Sequence, residues 1–86
     1  MALYHFDMRD DDRFYPDDQG TELDGGIAAA RIVAFATLTD YIQGRLPETD
    51  SARRVAVEVT DGNHKPLMAA VVTVELVPAY HSEPPG

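Results

Sequence analysis

Asp10-Asp11-Asp12-Arg13-Phe14-Tyr15-Pro16-Asp17-Asp18-Gln19-Gly20 places five carboxylates within nine residues. It is the stretch where metal chemistry is most plausible by composition. Calcium takes about six to eight oxygens, typically from acidic side chains at alternating positions, with a glycine at the bend and a closing glutamate. Here Asp10, Asp11 and Asp12 are consecutive, so neighbouring side chains diverge, and neither the glycine nor the glutamate stands at the required offset. The pattern predicts a solvated turn. Metal binding by this turn is the alternative. A further alternative is that Asp10, Asp11, Asp12, Asp17 and Asp18 form an acidic surface that occupies a basic surface of a partner, including one that otherwise holds nucleic acid.

The other reactive side chains are sparse. His5 and Asp7 project from one face of the same strand, as two ligands of a zinc or manganese site would. His64 falls in a turn, His81 in the tail, and there is no cysteine to complete the set. The reading is therefore of His5 as an exposed strand residue and of no metal ligands. The serines Ser51 and Ser82 lie in a loop and in the tail, outside any Gly-x-Ser-x-Gly elbow. Gly25-Gly26 precedes a helix without the Lys-Ser/Thr pair of a phosphate loop. An enzyme also needs a pocket, commonly of about 300 Å³ or more, which one helix on a small sheet rarely encloses. The sequence predicts no catalytic residues, no cofactor and no enzyme.

Few elements are available to position anything. Tyr4, Phe6 and Met8 alternate with His5, Asp7 and Arg9, the period of a half-buried strand. Asp10 to Asp12 make a turn, and Arg13-Phe14-Tyr15 a short edge strand ended by Pro16, which cannot donate to a ladder. After a second turn at Asp17 to Gly20, Asp24 is placed to cap an alanine-rich helix from Gly26 to about Gln43. Ile27, Ala30, Ala34, Leu38 and Tyr41 fall on one side of it, Ile32 and Ala36 on the outward side, and Gly44 and Pro47 stop it. Arg54 to Thr60 is a strand with Val55, Val57 and Val59 on one face. Asp61 to Lys65 turns, and Leu67 to Val77 is the fourth strand, with Met68, Ala70, Val72, Val74 and Leu76 on one face.

The sum is an α+β domain over residues 1–77, strand-strand-helix-strand-strand, with an antiparallel sheet of order 2-1-3-4 and the helix on one face. Residues 78–86, rich in proline, read as a disordered tail. The open face carries His5, Asp7, Arg9, Glu58, Thr73 and Glu75, with Val71 among them.

At 86 residues the chain makes one domain, and without cysteine its stability rests on packing, helped by self-association. The net charge is −8, of which residues 1 to 24 contribute −6. That balance repels phosphate backbones and anionic lipid, so neither nucleic acid nor membrane is an expected partner. The longest apolar run, Ile27 to Leu38, is interrupted by Arg31 and is short of the roughly 20 residues that cross a bilayer. The opening MALYHFDMRD has no basic segment followed by an apolar run and does not read as a secretory signal, and a soluble cytoplasmic protein is predicted.

Tyr4-His5-Phe6-Asp7-Met8-Arg9-Asp10, Asp18-Gln19-Gly20-Thr21-Glu22-Leu23, Ala29-Ala30-Arg31 and Val57-Glu58-Val59-Thr60-Asp61-Gly62 occur in this order. The chain resembles, over roughly residues 3 to 76, a family of short bacterial proteins described only as a domain of unknown function. That family opens on Y-x-F-D-x-R-D and carries D-x-x-G-x-E-L, a helix beginning A-A-R and a V-E-V-x-D hairpin. The family usually has a glycine in the first turn, where this chain has aspartates, and Asp24-Gly25-Gly26 is slightly longer than its usual approach to the helix. The resemblance implies the fold and supplies no catalytic residues.

The fourth strand carries the functional expectation. It is long, rich in β-branched residues and uncharged except for Glu75, whereas edge strands ordinarily carry charges or proline that prevent pairing. Val71, Thr73, Glu75 and Val77 are the expected partner surface. The predicted function is a non-enzymatic interaction or regulatory module, acting as a homodimer or by adding a strand to another protein.

Overall fold

Tyr4, Phe6 and Met8 alternate along a strand, so all three fall on one face, and each is less than a tenth exposed. The computed structural model describes residues 1–45 and 52–75. The expectations that concern Pro47, Ser51, Leu76, Val77, His81, Ser82 and the tail lie outside the described residues. Element order is β1 (Ala2–Asp10), β2 (Arg13–Tyr15), β3 (Thr21–Leu23), α1 (Gly26–Arg45), β4 (Arg53–Asp61) and β5 (Pro66–Val74). The α+β class and the antiparallel sheet stand as expected. The spatial order β2-β1-β4-β5 is the predicted path, with β3 as an added strand on β1.

That added strand changes one edge of the sheet. β2 pairs with the far end of β1, Met8 with Tyr15, and β3 with its near end, Tyr4 with Thr21. Between those pairings lie residues 5–7 of β1 and residues 16–20 of the return chain, so β2 and β3 are one edge strand interrupted by a bulge. The first turn is also shorter than expected. β1 runs on through Asp10, leaving Asp11 and Asp12 to turn, with Asp11 in the left-handed region at φ 52°.

The helix packs over β4 and, less extensively, β5. It buries Ala30, Ala34 and Leu38, spaced four apart, against Val55, Val57 and Val59, which are fully buried. The alanines have no side chain beyond Cβ, so the helix sits close on the valine row. Burying each valine contributes about 1.5–3 kcal/mol relative to exposure. The helix runs through Gly44 to Arg45, one residue past the expected cap. Ile32 and Phe35 stand on its surface, 71% and 60% exposed. Among the described residues no helix is long and apolar enough to cross a membrane.

Candidate functional site

The two edges of the sheet are built differently. On the β2–β3 side, the Asp17 carboxylate takes the place of a missing ladder partner. Its Oδ2 accepts the Phe6 N–H at 3.1 Å and its Oδ1 the Gly20 N–H at 3.1 Å, while the Asp17 N–H donates to Asp7 Oδ1 at 2.8 Å. Gly20 closes the bulge at φ 76°, where a Cβ would come within 2.9 Å of Tyr4 O. With Pro16, Asp18 and Glu22 alongside, this edge is bent and charged, two features that oppose pairing with another chain. Replacing Asp17 with alanine removes both acceptors. The expected cost is about 1–2 kcal/mol in chemical unfolding, with faster amide exchange at Phe6 as the local signature.

The β5 edge has none of these devices. Pro66–Val74 contains no charged residue, and its proline stands at the first position, where it protects nothing further along. Which backbone groups face outward follows from the ladders. The Asp61 N–H donates to Lys65 O at 3.0 Å, and the Asp11 N–H to Arg54 O at 2.9 Å. In an antiparallel ladder the bonding direction alternates along each strand. Odd-numbered residues of β4 therefore bond towards β5, and even-numbered ones towards β1. Their partners Val72 and Ala70, opposite Val55 and Val57, point inward. Ala69, Val71 and Thr73 direct both backbone groups to the outer edge, with which no strand among the described residues pairs. Leu67 is skipped in the register at an irregularity between Val59 and Thr60. Of the expected partner surface, Val71, Thr73 and Glu75 are exposed, Val71 at 47%, and Val77 lies outside the described residues.

The acidic cluster divides. Asp10 belongs to no surface: it is 2% exposed. Its carboxylate receives Arg53 Nε at 2.8 Å and Nη2 at 2.7 Å, and the Tyr41 hydroxyl from the helix. Hydrogen bonding to Arg53 holds the Asp10 carboxyl below the usual carboxylate range, against burial, with Tyr41 adding to the effect. The same bond raises the Arg53 guanidinium above its ordinary value. Asp11 and Asp12 are exposed, and with Asp10, Arg13 and Arg53 they line a cavity of about 290 Å³ in which two arginines offset the three aspartates. Asp17 is half-buried and bonded as described, beside Asp7, about 10 Å along β1 from Asp10 at the usual strand rise. Asp18 is exposed next to it.

His5 corrects the reading of an exposed strand residue. It is on the expected open face but only 4% exposed, because the bulge covers it. Its Nδ1–H donates to Asp17 O at 2.7 Å, which fixes that nitrogen as a donor. His64 stacks on it with ring centroids 4.4 Å apart and planes inclined by 24°. His64 is held there at φ 63° in the β4–β5 turn, whose Asp61 Oδ1 accepts the Asn63 and Lys65 N–H groups at 2.8 and 2.9 Å. Those bonds, the Lys65 one first, hold the Asp61 carboxyl below its ordinary value. Stacked rings do not aim their nitrogens at one ion, and no group of three or more His, Cys, Asp or Glu among the described residues is arranged to hold a metal. On the rest of the open face, Arg9 Nε donates to Glu58 Oε2 at 2.9 Å, and its guanidinium lies 4.6 Å from the Phe14 ring centre.

No curated protein and no solved structure matches the chain. The model of one family, described as a domain of unknown function (DUF6894), matches residues 3–73, from β1 to within one residue of the end of β5. That span takes in both edges of the sheet, the Asp10–Arg53–Tyr41 contact and the His5–His64 stack, and the chain belongs to this family.

Proposed function

We propose that the protein is a non-enzymatic interaction module whose working surface is the free edge of β5, which takes a strand from a second chain. The observation that carries this reading is the contrast between the edges of one sheet. The β2–β3 edge is bent by a bulge that the Asp17 carboxylate holds and is flanked by Pro16, Asp18 and Glu22, while β5 presents Ala69, Val71 and Thr73 with no charge from Pro66 to Val74. Strand addition uses these main-chain groups for affinity and the alternate side chains for selectivity. The internal use of Asp10 and Asp17 leaves Asp11, Asp12 and Asp18 as the exposed members of the acidic set. These belong to two separate turns, which favours the strand edge over an acidic decoy or a metal site as the working surface.

Hydrogen exchange tests the reading. In the millimolar range the amides of Ala69, Val71 and Thr73 are expected to be protected at least a hundredfold, and to lose that protection on dilution. Free exchange of all three at millimolar concentration contradicts it, as does protection that persists in a monomer.

A further inference from the structure

We infer that the strand received by β5 is β5 of a second copy, paired antiparallel about a two-fold axis at Ala70, so that Lys65 of each copy stands level with Glu75 of the other. This rests on the β5 reading above and specifies its partner and register.

Three features of the chain fit a second copy. The first is the symmetry of β5 itself. Pro66–Val74 is centred on Ala70, and the nearest charges beyond its ends are Lys65 and Glu75, of opposite sign and equally far from that centre. An antiparallel pair centred there overlaps the whole strand and sets unlike charges against each other at both ends. Centring on Val71 would bring Leu67 opposite Glu75 instead. The Ala70 register also satisfies the backbone. Ala69 of one copy meets Val71 of the other twice, both outward-facing, and these two closely spaced pairs supply about four hydrogen bonds.

The second feature is where the charge lies. Residues 1 to 24, with net −6, form β1, β2, β3 and the turns between them, on the side of the sheet away from β5. Joining two sheets through β5 places the β2 strands seven spacings apart, about 34 Å at the usual strand separation. That is several screening lengths at physiological salt, where the length is about 8 Å. No other edge of this sheet lets two copies of net charge −8 meet with so little repulsion.

The third is the helix. A two-fold axis normal to the sheet puts both copies of α1 on the same face. Because α1 lies over β4 and β5, the two axes come about 10–14 Å apart, at and just beyond the usual packing distance. Of the large apolar side chains left exposed on α1, Ile27, Ile32 and Phe35, Ile32 points outward, and Phe35, on the flank of the buried Ala30–Ala34–Leu38 stripe, is the one placed to fill that space, above the small Ala70 pair. A single strand pair buries little, and a stable dimer needs about 1,200 Å² or more. This second layer of contact supplies the remainder.

The chain has no cysteine, so single cysteines report the register cleanly. In an antiparallel ladder Ala70 faces its own copy in a wide pair with Cα atoms about 4.5 Å apart, inside the disulfide range. The two copies of Val71 lie diagonally, beyond it. With oxidised glutathione, Ala70→Cys is expected to form the covalent dimer at least tenfold faster than Val71→Cys. Glu75→Lys is expected to weaken association about three- to tenfold, and adding Lys65→Glu to restore it. Preference for Val71→Cys, or a charge reversal that restores nothing, overturns the Ala70 register while a protected β5 edge keeps the strand-addition reading. A monomer with freely exchanging Ala69, Val71 and Thr73 overturns both.

Discussion

Replacing Asp10 with alanine is expected to destabilise the fold by about 3 kcal/mol, the lower end of the range for breaking a buried ion pair by removing one partner. Asp10 is 2% exposed and receives two hydrogen bonds from Arg53 and one from the Tyr41 hydroxyl, joining β1, β4 and α1 at one end of the core. Without the carboxylate, the guanidinium and the phenol lose their shared acceptor. Arg53 can still reach water, with 22% of its side chain exposed, which is why the upper end of the range does not apply. In urea, where small domains unfold with slopes of about 1 kcal/mol per molar, the midpoint falls by roughly 3 M at fixed protein concentration. Total stabilities of about 5–15 kcal/mol make this one of the costliest single changes in the chain.

The same contact sets an acid limit. Arg53 lowers the Asp10 carboxyl in the folded state, so the native state binds that proton less readily than the unfolded chain does. The stabilisation is present in full above the unfolded value, about 3.9, and is lost as pH falls from there through the lower folded value. In Asp10→Asn that part of the pH dependence is absent. The stability difference between the two proteins is expected to be constant from pH 5 to 7 and to shrink below pH 4.

Val71→Pro is expected to abolish association, lowering the association constant at least a hundredfold, while leaving the monomer folded. The Val71 N–H points away from β4, so proline there removes no bond of the β4–β5 ladder. It does remove a donor from the outer edge and sets a ring against the incoming strand. Val72→Pro is the contrast: its N–H bonds towards Val55, and the same substitution one residue along is expected to unfold the sheet. Val71→Lys gives the edge a charge and should dissociate the dimer without altering backbone geometry.

Much of this arrangement is written locally. Tyr4, Phe6 and Met8, the row of Val55, Val57 and Val59, and the spacing of Ala30, Ala34 and Leu38 each declare a face, and those faces meet in the core. β5 likewise advertised its lack of protection through composition alone. β3 was hidden because Thr21–Leu23 has only three residues and exists through its pairing with β1. Asp17-Asp18-Gln19-Gly20 is readable as a turn. That its aspartate would reach the Phe6 amide depends on how many residues each side of a hairpin contributes, which periodicity does not report.

His5 shows the same limit. Alternation assigned its face correctly, but what lies above that face comes from residues 12 and 59 positions away. Asp10 was legible in part. It continues the parity of Tyr4, Phe6 and Met8, and Arg53 that of Val55, so opposite charges share the core face at one end of the sheet. Reading Asp10 with its two neighbours as one turn concealed this.

Sedimentation equilibrium of the unmodified protein from micromolar to millimolar concentration tests the central claim most directly. The account predicts a shift from the 9.4 kDa chain to twice that mass, abolished by Val71→Lys. A mass that stays at that of one chain up to millimolar concentration, or a dimer indifferent to Val71→Lys, would contradict it.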